Sequence, residues 1–143
     1  MTSHPLVLDT NVLIAALRSR TGASFRLLDL LGTREDLELH MSVPLVLEYE
    51  QVAKRQAKAL GLSHEDIDDV LDYLCSIAVR HEIFFLWRPV LKDPRDDMVL
   101  ELAVSASCRT IVTYNKRDFE GSEKFGIEVE TAKEFLQRIG ELR

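Results

Sequence analysis

Cysteine is scarce in this chain, with two among 143 residues. Cys75 and Cys108 both fall in apolar helical patterns, so they read as buried free thiols of a reducing compartment, not as a disulfide or a metal pair. Long apolar runs are missing as well: none approaches the roughly 18 residues that a bilayer-spanning helix requires. Met1-Thr2-Ser3-His4 leads directly into a strand pattern without the basic segment that opens a signal peptide. The expectation is a cytoplasmic protein with no membrane partner. The four histidines, His4, His40, His64 and His81, are scattered, and none is paired at helical spacing, which speaks against a zinc site. No internal repeat, low-complexity tract or domain linker is visible. Positive charge is also short, at 18 Lys and Arg against 24 Asp and Glu, for a formal net charge of -6. On its face that argues against a nucleic-acid partner, because phosphate binding wants a basic surface.

The distribution of charge changes that reading. Glu65, Asp66, Asp68, Asp69 and Asp72 crowd one segment, on the polar face of a helix whose apolar stripe is Ile67, Val70, Leu71, Leu74, Ile77 and Ala78. Setting those five aside, with four candidate site acids, leaves the remainder slightly basic. An acidic total is tolerable where bound cations invert the local field.

What the chain does have is ordinary globular content, 46% hydrophobic and 29% charged. That suits one domain over residues 1–143 around a single core. Pro5-Leu6-Val7-Leu8 reads as a buried parallel strand. Helices are expected over 11–17 and 24–31, from Ser42-Val43-Pro44 to Leu60, from Ser63 with Asp66 closing a capping box, from Asp93 to Ser107, and over 131–139. Strands are expected over 37–41, 82–86, 109–113 and 127–130. Strands alternating with helices predict an α/β fold with a central parallel sheet covered on both faces.

Four carboxylates stand where such a sheet would aim them at one point: Asp9 after the first strand, Glu48 on an apolar helix face, Asp97 at a helix start, and Asp118 after a late strand. Ligands of open α/β sheets bind beyond the carboxyl ends of strands. Converging carboxylates need a cation to stay ionised together, and Mg²⁺ or Mn²⁺ prefer such oxygens. Each acid also has a plainer reading. Asp9 or Thr10 could simply cap the next helix, Glu48 could pair with a distant arginine, and Asp118 could belong to a turn with a solvated Lys116-Arg117. Asp93 suits an N-cap, with Pro94 at N1 and Asp96 at N3 completing a box, which leaves Asp97 over.

Taken together, Leu8-Asp9-Thr10-Asn11-Val12-Leu13, Leu47-Glu48, the run from Asp93 to Ala103 and the run from Ile111 to Phe119 resemble the PIN-domain family. Within it, they are similar to the toxin subunits of VapBC-type toxin–antitoxin pairs. The resemblance implies a three-layer α/β/α sandwich and a Mg²⁺- or Mn²⁺-dependent ribonuclease, with one or two ions. It also implies an antitoxin partner and a homodimer. Carried over by position, Asp9, Glu48 and Asp97 are the three most regular acids. Asn115 stands where an aspartate often does, so Asp118 becomes the fourth. Thr10, Asn11, Thr113, Asn115, Asp93 and Asp96 would orient these acids or their waters. Arg95, Lys116 and Arg117, with Arg18, Arg20 and Lys92, would meet RNA phosphates. Two rivals remain: a catalytically impaired module of the same fold that binds RNA or protein, and a phospho-receiver domain. The second fits poorly, because Asp9 is followed by Thr10-Asn11 and not by another acid.

Overall fold

The computed structural model describes residues 3–82, 91 and 93–142. The first strand, β1 (His4–Leu8), buries Leu6, Val7 and Leu8, as an unbroken apolar run does in the middle of a covered parallel sheet. It is followed by α1 (Thr10–Arg18), α2 (Ala23–Leu31), β2 (Leu37–Ser42), α3 (Val43–Arg55), the short α4 (Ala57–Leu60) and α5 (His64–Ile77). Then come β3 (Val79–His81), α6 (Pro94–Ser105), β4 (Thr110–Val112), two 3₁₀ turns (Lys116–Phe119 and Ser122–Phe125), β5 (Glu128–Glu130) and α7 (Ala132–Arg138). The five strands form one parallel sheet in the order β3-β2-β1-β4-β5, flanked by helices in a three-layer α/β/α arrangement.

That order places the site. From β1 the chain winds outward to β2 and β3, then returns to the other side of β1 with β4 and β5. The crevice where the winding reverses lies between the carboxyl ends of β1 and β4. Leu8 pairs with Val112, so Asp9 and Thr113, one step beyond, emerge side by side.

Local chemistry sets the element ends. Ser63 and Asp66 form the expected capping box on α5, and Thr131 and Glu134 form another on α7. The helix expected to run unbroken to Leu60 instead breaks at Gln56 (φ -99°, ψ 6°). The break lets Ala57 bury against the core while Gln56 faces the crevice. Gly61, at φ 71°, ends α4 in the left-handed conformation that glycine adopts without steric cost. The strand expected over 82–86 lies, apart from Glu82, outside the described residues; among the described residues the edge strand beside β2 is β3, which ends at His81. Its register with β2 brings together two histidines that a search for helical spacing misses. His40 Nδ1 lies 2.7 Å from His81 Nε2, and His40 Nε2 lies 2.7 Å from Glu38 Oε1. Cys75 is half-buried and Cys108 buried, both free, and burial pushes the Cys108 thiol up to about 12. Among the described residues no helix is long and apolar enough to cross a membrane.

Tyr49 ties α3 to the sheet. Its ring is fully buried and its hydroxyl donates to the Leu8 carbonyl at 2.5 Å, at the strand end that carries Asp9. Tyr49→Phe keeps the ring and leaves that buried carbonyl without its donor, at an expected cost of about 1–3 kcal/mol. Calorimetry should show a melting temperature lower by several degrees. An unchanged melting temperature would remove the phenol from its anchoring role.

Candidate active site

Asp9 ends β1 and caps α1. Its Oδ1 accepts the Thr10 N–H at 2.9 Å. Its Oδ2 accepts the Thr113 hydroxyl at 2.7 Å and the Asn11 amide at 3.3 Å. Capping and facing the crevice are therefore one arrangement, not alternatives. The side chain is 7% exposed. Burial raises its pKa above the ordinary carboxylate value, and the charges of Glu48 and Asp118 add to the rise, against hydrogen bonds from Thr113 and Thr10 that lower it. Asn11 braces the opposite strand, donating to Thr113 Oγ1 at 3.2 Å and accepting the Tyr114 N–H at 3.1 Å. Thr113 Oγ1 also accepts the Asn115 N–H at 3.0 Å.

Glu48 reaches the same crevice from α3. The Thr10 hydroxyl donates to its Oε2 at 2.7 Å. Thr10 thus holds Asp9 through its backbone and Glu48 through its side chain. The distant arginine considered for Glu48 is also present: Arg95 Nε stands 3.8 Å from Glu48 Oε1, and its guanidinium lies 3.4 Å from Asp93 Oδ2.

At the start of α6 the two adjacent acids part. Asp97 does not line the cleft; its Oδ1 accepts the Leu91 N–H at 2.8 Å, fastening the chain that precedes the helix. Asp96 lines the cleft instead. Successive helical residues are rotated by about 100°, so adjacent acids cannot share a direction. Asp93 caps the helix by accepting the Arg95 N–H at 2.9 Å, and the Asp96 carboxyl turns to the cleft in place of the box position expected for it. Periodicity carried the missed signal. Val99, Leu100 and Ala103 are buried and lie three, four and seven residues after Asp96, on its face of the helix. Burial, and then the charges of Asp9, Asp118, Asp93 and Glu48, push the Asp96 carboxyl up to about 7.

Asp118, exposed in the first 3₁₀ turn, and Asn115 complete the rim of a cleft of about 580 Å³. The expected cations divide. Arg18 and Arg95 line the cleft, Arg18 donating to Gln56 Oε1 at 3.2 Å. Lys116 bonds both oxygens of Glu134, at 2.9 and 3.1 Å, and neither it nor Arg117 lines the cleft. Arg20 borders a separate hollow with Arg26 and Lys133. Lys92 lies outside the described residues. Sequence reasoning also passed over Gln56 and Tyr114 in the cleft wall.

The donors here are carboxylate, hydroxyl and amide oxygens, the chemistry that Mg²⁺ and Mn²⁺ select over softer metals. Among the described residues, no three acidic, histidine or cysteine side chains stand close enough together to hold one ion as placed. Mg²⁺ is commonly held by one or two carboxylates and several waters. A cleft of this width, rimmed by acids whose charges add to the raised pKa of Asp9 and Asp96, suits that mode.

Comparison with known proteins agrees with this fold. The family model described as PIN domain matches residues 5–117. Among solved structures, a chain in the crystal structure of VapBC2 from Rickettsia felis bound to a DNA fragment from their promoter is similar in fold, with a TM-score of 0.58. The match has 14% sequence identity and covers 89% of this chain and 98% of that one. No curated protein matches.

Asp96 makes a pH dependence testable. A carboxyl raised on folding lets the native state bind more protons than the unfolded chain, so its contribution to stability is present at low pH and is lost as pH rises from about 4 through about 7. His81, held below its ordinary value by burial and His40, works in the opposite sense. The informative quantity is therefore a difference. In metal-free melts, the gain in melting temperature of Asp96→Asn over the wild type should grow from pH 4.5 to 7.5. A pH-independent difference would show that the Asp96 carboxyl is not raised on folding.

Proposed function

The chain belongs to the PIN-domain family, and from that membership and the acid-rimmed cleft we propose that it is a divalent-metal-dependent ribonuclease. It would hydrolyse RNA phosphodiester bonds as the toxin of a toxin–antitoxin pair. One observation carries the reading: Asp9, Glu48, Asp96 and Asp118 rim a single cleft at the winding reversal of a parallel sheet, where burial, and then the neighbouring charges, raise the Asp96 carboxyl to about 7. Asp9, Glu48 and Asp96 would hold a Mg²⁺ or Mn²⁺ ion, and Asp118 at the rim would serve the same ion or a second. When bound, the ion supplies a water of lowered pKa and neutralises charge on the phosphate. The chain's own residues do the positioning. Thr113 and Asn11 fix the Asp9 carboxylate, Thr10 fixes Glu48, and Asp93 sets the start of α6 from which Asp96 projects. Arg95 and Arg18 at the mouth would meet the RNA backbone, with Arg117 further out.

The fold shared with a chain of a VapBC2 complex supports an antitoxin as partner. Self-association follows the habit of the resembling toxins. A second reading, a module that binds RNA or protein without cutting it, is favoured by Asn115 in the place of an acid and by the lack, among the described residues, of three acids already drawn together.

Metal-titrated cleavage of single-stranded RNA decides between them. Cleavage should require Mg²⁺ or Mn²⁺ and stop on chelation. Asp9→Asn and Asp96→Asn should each lower it by about 100-fold or more, since partners one step behind metal ligands already cost 10–100-fold. Asp97→Ala should lower the melting temperature and leave cleavage within a few-fold. Full activity in Asp9→Asn, or no cleavage at any metal concentration, overturns the ribonuclease reading. Charge reversal at Arg95 and Arg117 should weaken RNA binding and flatten its salt dependence, by about one in slope for each phosphate no longer neutralised. An unaltered slope would take both residues off the RNA path.

A further inference from the structure

Among the described residues lining the acid cleft, Tyr114 supplies the aromatic ring. The residue is tethered at its backbone and at its hydroxyl. Its backbone N–H donates to Asn11 Oδ1 at 3.1 Å, and its hydroxyl shares a 2.6 Å hydrogen bond with Ser24 Oγ. Ser24 is 2% exposed on α2, yet Tyr114 itself remains 43% exposed. An aromatic face fixed by two tethers and left open to solvent at the edge of an acid cleft needs a reason.

We propose that Tyr114 is a stacking platform for a nucleobase of the single-stranded RNA, beside the phosphate that the acids address. The inference rests on the ribonuclease reading. With a net charge of -6, phosphate attraction is a weak draw for an RNA strand, and a contact that does not depend on charge adds to it. A nucleobase is neutral and is not repelled by neighbouring carboxylates, and stacking on an aromatic ring is worth about 5- to 100-fold in affinity per base with little dependence on sequence. The two tethers mean that ring order is already in place before the base arrives, so less entropy is lost on binding. Tyr114 directly follows Thr113, which holds Asp9, so a base seated on the ring registers the strand against the acids.

The test uses the full chain carrying Asp9→Asn, so that RNA stays intact, and a single-stranded RNA 12-mer with 2-aminopurine scanned along it. Quenching should appear at one position. It should persist with Tyr114→Phe and Tyr114→Trp, which keep a ring, and vanish with Tyr114→Leu, which should also bind about 5- to 100-fold more weakly. Removing the base at that position should make Tyr114→Leu and the unaltered residue bind equally. Equal binding and quenching by Tyr114→Leu overturns the platform. So does a loss with Tyr114→Phe as large as with Tyr114→Leu, because it assigns the residue to its Ser24 tether. Cleavage of the same RNA with Asp9 intact is read separately. Cleavage without quenching removes the platform and keeps the ribonuclease; quenching without cleavage does the reverse.

Discussion

Repulsion between carboxylates in a partly dry crevice is the constraint around which the remaining structure is arranged. Left alone, such groups would protonate or turn to solvent. Here they are held by donors that cannot easily move away. Thr113 sits at the end of a three-residue buried strand, Thr10 lies in the first turn of α1, and Asn11 links the two. Behind them, the buried phenol of Tyr49 fastens α3 to β1, so that Glu48 arrives beside Asp9. Proteins tend to break local rules of charge and burial at the places where they work. This cleft breaks them with four acids drawn from four separate elements.

The mouth of the cleft moderates that charge without cancelling it. Arg95 lies between Glu48 and Asp93, exposed and at the outer limit of an ion pair with Glu48. Pairs of this kind contribute little to stability in water. Its guanidinium can therefore leave the carboxylates at small cost when a more strongly charged partner enters. Lys116 is differently placed. Its bidentate contact with Glu134 joins the turn after β4 to the capping box of α7, which gives it a local structural task.

Much of this was legible in the sequence, for identifiable reasons. The apolar run Leu6-Val7-Leu8 could only be a buried strand, and the acid after it had to emerge at the sheet's carboxyl edge. Ser63 and Asp66 announced α5 through their spacing. The family resemblance read from four short stretches agrees with a family match over most of the chain. The misses share a physical cause. Asp96 and Asp97 are adjacent, so their identity as acids says nothing about direction; the helical phase set by Val99, Leu100 and Ala103 does. The break at Gln56 follows from packing of Ala57, which has no local signature. His40 and His81 meet through the pairing of β2 with β3, and Tyr114 meets Ser24 across ninety positions. Contacts between remote elements are written in topology, not in spacing.

The pairing of β1 with β4 has one more consequence. Asp9 takes its hydroxyl donor from a residue 104 positions later. A nascent chain on the ribosome therefore exposes the first acid long before the group that orients it has been synthesised. Until β4 inserts beside β1, the cleft lacks the side that Thr113, Tyr114 and Asn115 supply.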